Sequence, residues 1–219
     1  MPLDYTSLKK RQRDERDNYP VNLALRVHRA LSWLDRAERC EDDDGRFIFL
    51  WIAFNAAYAN EIYDRERSHE QKVFGEFLEK LSDLDAQDVL YELIWTEFSS
   101  SIRVLLDNQF VYQPFWDHHN GLIEEEDWKG KFDKAKTATH RALAEHKTVT
   151  VLSIVLSRMY TLRNQLIHGG ATWNSSINRE QLRDCSAFLG KLVPFVIQLM
   201  MDHPDTLWGD ACYPVVESS

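Results

Sequence analysis

A chain of 219 residues, 44% of them hydrophobic and 28% charged, can bury one substantial core, or one core with an appended subdomain. Its net charge of −9 argues against a protein that coats nucleic acid through a basic surface, although it is compatible with a local cationic cleft. The three cysteines form no CxxC pair or Cys/His cluster, so the sequence carries no zinc signature and indicates reduced thiols.

The location of the protein follows from its apolar segments. The longest apolar run, Phe47 to Ala59, is broken by Asn55 and is shorter than the roughly 20 residues that cross a bilayer. The charged residues 1–18 contain no apolar signal core. We therefore expect a cytoplasmic protein without a membrane span.

Helical spacing dominates the first half of the chain. Residues 1–18 carry dense charge of both signs and are predicted to be a solvated arm or a frayed helix. Four helices are then expected from the apolar pattern: Val21 to Arg39, Arg46 to about Arg67, about 70–82 and 86–108. The second is apolar almost all round, which predicts the central buried helix. Ser99-Ser100-Ser101 can interrupt the fourth.

The second half begins with an aromatic segment, Asn108 to Gly121, which is predicted to be irregular. Asp127 is a candidate cap for a helix from Trp128 to Lys147. The β-branched start of Thr148 to Ile167 permits a strand, but its length and apolar spacing favour a helix. Gly169 and Gly170 end that helix.

A last helix is expected from Ser176 or Asn178 to about Met201, followed by a tail over 202–219. The sequence therefore predicts an all-α protein with one domain over 19–201. The many apolar residues of the last helix also predict dimerisation, because they exceed what one small bundle needs.

A short motif stands at the end of the predicted helix 148–167, just before the glycine pair: Arg163-Asn164-Gln165-Leu166-Ile167-His168. Arginine clamps phosphate with a planar fork of donors, and histidine exchanges a proton near neutral pH. These two groups are a sufficient minimum for cleaving RNA without a metal ion. The alternative is structural: a surface arginine, and a histidine that interacts with the helix dipole.

Helix geometry sets a condition on the catalytic interpretation. Five residues advance about 140° beyond one full turn of an ideal helix, so Arg163 and His168 do not share a face. They can converge only if the helix ends between them, which the glycine pair permits.

Two segments resemble the HEPN family, particularly its large-loop prokaryotic variants. Phe49-Leu50-Trp51-Ile52-Ala53-Phe54-Asn55-Ala56-Ala57-Tyr58 resembles the second HEPN helix, and Arg163 to His168 resembles the signature motif. The segments lie farther apart than in compact HEPN domains, which an insertion of helices over about 68–147 would explain. The resemblance covers about 21–67 and 148–201.

The resemblance implies a helical bundle that usually dimerises and often cleaves RNA without a metal ion, in toxin–antitoxin or anti-phage defence systems. His168 would be the base for the 2′-hydroxyl, and Arg163 would bind the scissile phosphate. Asn164 would orient the phosphate or His168. The implied partners are RNA, a second copy, and an antitoxin or regulatory protein. Some members are inert, so the alternative is a non-catalytic interaction or nucleotide-binding module.

Other residues are candidates for the same function. Asn55 faces this site or is a core asparagine bonded to backbone. Tyr112 and Trp116, with Phe115, are expected to stack on unpaired bases because they lie in a predicted loop. Asp117-His118-His119 resembles a metal triplet, but adjacent ligands rarely converge, and a polar aromatic loop is the favoured interpretation. No metal or other cofactor is therefore predicted.

Overall fold

The computed structural model describes residues 3–58, 67–176, 178–206 and 208–211. Helices contain most of these residues and none lies in a β-strand, which confirms the all-α prediction. The chain divides into two compact units, the first formed by residues 1–85 and 186–219 and the second by 86–185. The single HEPN-like domain over 19–201 stays a prediction.

The α-helices follow one another in this order: α1 Tyr5–Glu15, α2 Val21–Glu38, α3 Asp43–Tyr58, α4 Arg67–Leu84, α5 Val89–Glu92, α6 Ser99–Asp107, α7 Gln113–His119, α8 Glu125–Ala144, α9 Thr148–Ile167 and α10 Arg179–Asp202. Short turns of tighter or wider helix lie at Arg16–Asn18, Leu93–Glu97 and Gln109–Val111.

The charged N-terminal segment of the first unit forms the capped helix α1. The Asp4 carboxylate accepts from the Ser7 backbone N–H at 2.9 Å, and the Ser7 hydroxyl accepts from the Asp4 N–H at 3.3 Å. This reciprocal cap satisfies two backbone donors at the helix start. Leu8 and Gln12 are buried, so the helix is held by packing as well as by its cap.

The core of the first unit centres on α3, as its apolar sequence predicts. Phe47, Leu50 and Phe54 are fully enclosed in this unit. Residues 59–66 of the expected long helix lie outside the described residues.

The first residues of the predicted tail pack into the same unit. Trp208 and Ala211 are buried, and the backbone carbonyl of Asp210 accepts a hydrogen bond from Arg26 at 2.5 Å. Arg26 also donates to the Ala57 carbonyl at 2.8 Å. The rest of the tail, 212–219, lies outside the described residues.

The second unit departs from expectation in its aromatic segment. Residues 108–121, predicted to be irregular, contain a short 3-10 turn and α7. The Asn108 side chain caps the first by accepting from the Phe110 N–H at 2.8 Å, and Pro114 stands at the start of the second. Such signals act over one turn and produce no apolar period.

Two helix boundaries in this unit also differ from expectation. The chain breaks at Phe98, before the three serines, where a π-helical turn meets α6. Helix α8 begins with Glu124 at its N-cap, so Asp127 lies in the first turn instead of capping it.

Helix α9 has the predicted bounds and is not a strand. Its apolar period buries Leu152, Val155 and Met159 on one face. The helix ends in a Schellman cap: Gly169 has φ +71°, its N–H bonds to the Leu166 carbonyl, and the Gly170 N–H bonds to the Gln165 carbonyl at 2.7 Å. A left-handed residue at this position favours glycine.

Helix α10 is long and apolar enough to cross a membrane by length and composition alone. In its most apolar window, 72% of the residues are buried within the protein, as in a core helix.

Candidate functional site

The end of α9 carries the three motif residues. Arg163 and Asn164 lie in the last helical turn, and His168 is the C-cap residue. The Schellman cap fixes the chain direction immediately after His168, so the backbone that holds the imidazole is defined by hydrogen bonds.

Asn164 links the arginine to the histidine. The Arg163 guanidinium donates to the Asn164 side-chain oxygen at 2.8 Å. The Asn164 backbone carbonyl accepts from the His168 N–H at 3.0 Å. Residues four apart in a helix are neighbours on one face, so Asn164 and His168 are adjacent although Arg163 and His168 are not. In the described chain, no hydrogen bond or ion pair joins Arg163 directly to His168.

The two ionisable motif groups retain free donors and acceptors. The Nε of Arg163 is buried without a hydrogen-bond partner, and no carboxylate of the described residues pairs with this guanidinium. Its carbon lies 5.8 Å from the Tyr160 ring centre. The His168 side chain is exposed, and its ring hydrogen-bonds to none of the described residues. The exposed imidazole is thus available to a ligand, whereas the Arg163 Nε is enclosed.

Arg163 and Asn164 belong to a row of side chains on α9 that is not buried. Tyr160, Arg163, Asn164 and Ile167 have the spacing i, i+3, i+4, i+7 of one helical face. None of the four is buried, and the two apolar members are exposed. Arg163 is therefore flanked by an exposed aromatic ring and an exposed apolar side chain.

Gln165 anchors the loop that follows the motif. Its side-chain N–H donates to the Phe110 carbonyl at 2.6 Å, and its side-chain oxygen accepts from Asn178 at 3.5 Å. Its backbone carbonyl accepts from Gly170. Gly170 and Asn178, at the two ends of this loop, are therefore both hydrogen-bonded to Gln165.

Trp173 lies in this anchored loop and was missed by sequence reasoning. Its side chain is 75% exposed, the largest exposure of any aromatic residue among the described large hydrophobic residues. The sequence feature that could have identified it is a single tryptophan, shortly after the motif, in a segment of small and polar residues from Gly169 to Ser176. Exposed aromatic rings are suited to stacking on unpaired bases.

A groove of about 610 Å³ adjoins the anchors of this loop. It is open to solvent, and its lining includes both hydrogen-bond partners of Gln165. The lining residues are Arg103, Val104, Asp107, Asn108, Phe110, Asn178 and Gln181.

Asn55 is half-buried on α3, in the first unit, whereas the motif belongs to the second. Its side-chain oxygen is buried and makes no hydrogen bond with the described residues, so it is not bonded to neighbouring backbone there. That Asn55 faces the same site as the motif stays a prediction.

Of the predicted stacking residues of the aromatic segment, Tyr112 and Trp116 are half-buried and Phe115 is buried. One face of the Tyr112 ring is covered by the Arg158 guanidinium, 4.3 Å from the ring centre, and Phe132 packs beside it. The Trp116 indole N–H donates to the Phe110 carbonyl at 2.8 Å. Both rings therefore have partners within the protein, and base stacking on them stays a prediction.

His118 and His119 end α7 and use their rings locally. Their Nδ1 atoms lie 3.1 Å from the Ile123 carbonyl and 2.8 Å from the Phe115 carbonyl, respectively. Among the described residues, no group of three or more His, Cys, Asp or Glu side chains could hold a metal ion. Cys40 and Cys185 are free, and Cys212 lies outside the described residues.

Comparison with known proteins adds no relative. No protein-family model, curated protein or solved structure matches this chain. The HEPN likeness is therefore a resemblance of residues 49–58 and 163–168. What the motif can do follows from the chemistry and contacts of its own side chains.

Proposed function

We propose that this chain is a metal-independent endoribonuclease of HEPN type that cleaves RNA by transesterification through the 2′-hydroxyl. The observation that carries the proposal is the linked set at the end of α9. Asn164 is bonded to both Arg163 and His168, while the imidazole and part of the guanidinium remain without partners among the described residues. This set supplies the base and the cation that the reaction requires.

The reaction uses the two side chains in complementary ways. His168 takes the proton of the 2′-hydroxyl, and the 2′-oxygen attacks the adjacent phosphorus. The bond from phosphorus to the 5′-oxygen breaks, and the leaving oxygen takes a proton from water or from the protonated imidazole. The products are a 2′,3′-cyclic phosphate and a 5′-hydroxyl. Arg163 binds the phosphate oxygens, on which negative charge grows in the transition state.

Asn164 positions the two reacting groups. Its side-chain oxygen orients the Arg163 fork, and its carbonyl holds the backbone of His168. A residue that fixes two groups at once lowers the entropy lost when the transition state forms.

Exposed aromatic surface near the motif supports a single-stranded substrate. Trp173 follows His168 in the anchored loop, and Tyr160 lies one helical turn before Arg163. Stacking of this kind requires bases that are not paired in a duplex. Substrates with unpaired bases beside the scissile phosphate are therefore expected.

The biological setting is proposed with the activity. A homodimer would place two motif sites around one phosphate, and a toxin–antitoxin or anti-phage role would bring an antitoxin or regulatory protein as partner. The net charge of −9 suits a basic partner. Light scattering should give twice the monomer mass at tens of micromolar, a concentration at which ordinary interfaces associate. A strict monomer would contradict the dimer.

A second function is supported by the same apolar face. Exposed Tyr160 and Ile167 flank the motif and suit an interaction or nucleotide-binding module without catalysis. Such a module would bind its ligand through Arg163 and leave RNA intact.

The deciding experiment is a cleavage assay with end-labelled single-stranded RNA in the presence of EDTA. The wild-type protein should produce fragments ending in 2′,3′-cyclic phosphate, and His168→Ala should reduce the rate roughly 100-fold or more. His140→Ala is the matched control, because His140 is also an exposed histidine of the second unit. If the wild-type protein leaves the RNA intact, the non-catalytic module is favoured. If EDTA abolishes cleavage, the activity depends on a metal ion, for which His118 and His119 are the candidate ligands.

A further inference from the structure

Arg158 is a buried arginine on α9 that the proposed reaction does not use. It precedes Arg163 by five residues, and only 4% of its surface is exposed. Buried arginines usually form ion pairs or donate to backbone carbonyls, because an unpaired charge in a protein interior is costly. The partners of Arg158 therefore decide what it does.

Aromatic rings are its partners in the described chain. The guanidinium carbon lies 4.3 Å from the centre of the Tyr112 ring and 5.8 Å from that of Phe132. Among the described residues, no carboxylate pairs with Arg158 and no carbonyl accepts from it. Its Nε is fully enclosed without a hydrogen-bond partner. The terminal nitrogens are not enclosed in this way, so they keep the residual contact with solvent.

The guanidinium remains charged although it is buried. Burial lowers the pKa of Arg158 to about 10, which still leaves it protonated at neutral pH. A cation–π contact returns less free energy than the removal of a charge from water costs. Tyr112 supplies no compensating charge, because burial raises the pKa of its phenol. Within the described residues, no negative charge therefore balances this guanidinium.

Other charged groups near these rings do not balance it. The Lys136 ammonium lies 5.8 Å from the Phe132 ring, but it adds a second positive charge and is paired with Asp107 at 3.1 Å. His140 also lies 3.4 Å from Asp107. The Asp107 carboxylate is thus engaged with Lys136 and His140.

We propose that Arg158 and the Tyr112 ring form an anion site, separate from the motif, that binds a phosphate group. The planar fork of arginine matches the oxygens of phosphate, and a ring stacked on its face leaves the in-plane N–H donors pointing to the ligand. The half-buried rings of Tyr112 and Phe132 flank the guanidinium. The phosphate can be free inorganic phosphate or part of a nucleotide. The site does not depend on RNA cleavage.

The test measures thermal unfolding when chloride is replaced by millimolar phosphate at constant ionic strength. An Arg163→Met background removes the proposed scissile-phosphate clamp, so only the Arg158 site responds. In this background phosphate should raise the Tm in a saturable way, because a ligand that binds only the folded state stabilises it. Adenosine 5′-monophosphate, with adenosine as its control, distinguishes a nucleotide from inorganic phosphate.

Two variants of Arg158 make the test decisive. Arg158→Met should keep or raise the Tm in chloride and abolish the phosphate response, while Arg158→Lys should keep a weaker response. Arg141→Met, at an exposed and ion-paired arginine of the same unit, should respond like its parent. Three results would each overturn the proposal: phosphate does not raise the Tm of the Arg163→Met parent, phosphate still raises the Tm after Arg158→Met, or the Arg158→Met protein is unfolded in chloride. Any of them would mean that the guanidinium is a structural stacking partner.

Discussion

Each unit buries an arginine, and the two arginines differ in their partners. Arg26 in the first unit is 1% exposed and donates to the carbonyls of Ala57 and Asp210. Arg158 in the second unit is almost as buried, but in the described chain it contacts aromatic faces without a hydrogen bond. The first cation joins segments of its own unit, whereas the second retains donors for a ligand. Burial alone therefore does not distinguish a structural charge from a binding charge.

The two units also differ in charge. The first contains 22 acidic and 15 basic residues, a net charge of −7, and the second contains 13 acidic and 11 basic residues, a net charge of −2. Five of the eight histidines belong to the second unit, as does the motif. The acidity that argues against non-specific RNA binding thus comes mainly from the unit without the motif.

The contrast between Arg26 and Arg158 requires that Arg26 stabilise the folded state. Arg26→Met should lower the free energy of unfolding by about 3 kcal/mol or more, because two buried carbonyls lose a charged donor. Urea denaturation measures this. Arg39→Met is the control, since Arg39 is exposed and its loss should cost less than about 0.5 kcal/mol. Equal effects of the two substitutions would remove the structural role of Arg26.

The motif should show the opposite behaviour. Arg163→Ala should lower the RNA cleavage rate roughly 100-fold, and Arg163→Lys should also be damaging because an ammonium cannot reproduce the fork. Neither should change the free energy of unfolding by more than about 0.5 kcal/mol, since Arg163 pairs with no carboxylate in the described chain. Stopped assays and urea denaturation of the same samples separate activity from stability. An unfolded variant would contradict this assignment.

The proposed proton transfer predicts a pH dependence. The cleavage rate should increase from acid to neutral pH, because only an unprotonated imidazole can accept the proton of the 2′-hydroxyl. Rates at saturating RNA over this range would show the increase. A rate that falls over the same range would mean that the histidine acts as an acid in the limiting step.

Trp173 offers a smaller test of substrate binding. Trp173→Ala should raise the KM for single-stranded RNA about 10-fold, since stacking on one base contributes about 1–3 kcal/mol. Trp173→Phe should keep most of the affinity. The Tm should not change, because the side chain is 75% exposed. A fall in Tm without a change in KM would make Trp173 a packing residue.

The N-terminal cap gives the smallest expected effect, and this effect disappears in acid. Hydrogen bonds from Ser7 hold the pKa of Asp4 below its usual 3.8, so the cap stabilises the fold above that pH and is lost as the pH falls through the folded-state pKa. Asp4→Ala should lower the Tm at pH 7 and match the wild type in strong acid. Asp17→Ala, at an exposed aspartate, serves as the control.

Sequence periodicity predicted the long helices and failed on the short ones. Helix α9 was predicted with its bounds because five apolar turns end at two glycines. Residues 108–121 were expected to be irregular because one-turn helices there depend on Asn108 and Pro114, which give no period. The apolar pattern also did not predict the two rings that contact Arg158, because Tyr112 and Phe132 lie far from it in the sequence.

The candidate site was predictable in its residues and not in its connections. The sequence named Arg163, Asn164 and His168, but helix spacing alone separated the arginine from the histidine. The hydrogen bond from Arg163 to Asn164 supplies the connection, and it depends on a side-chain rotamer that no sequence pattern specifies.

Gln165 occupies a spacer position of the motif, yet it makes specific hydrogen bonds to three other residues. Its amide and carbonyl tie Phe110, Gly170 and Asn178 together. Replacing it would leave every reacting atom in place while releasing the segment that carries Trp173. In the proposed ribonuclease, substitutions at this position would therefore alter which RNAs are bound without altering the bond that is cut, so selectivity and chemistry could evolve separately.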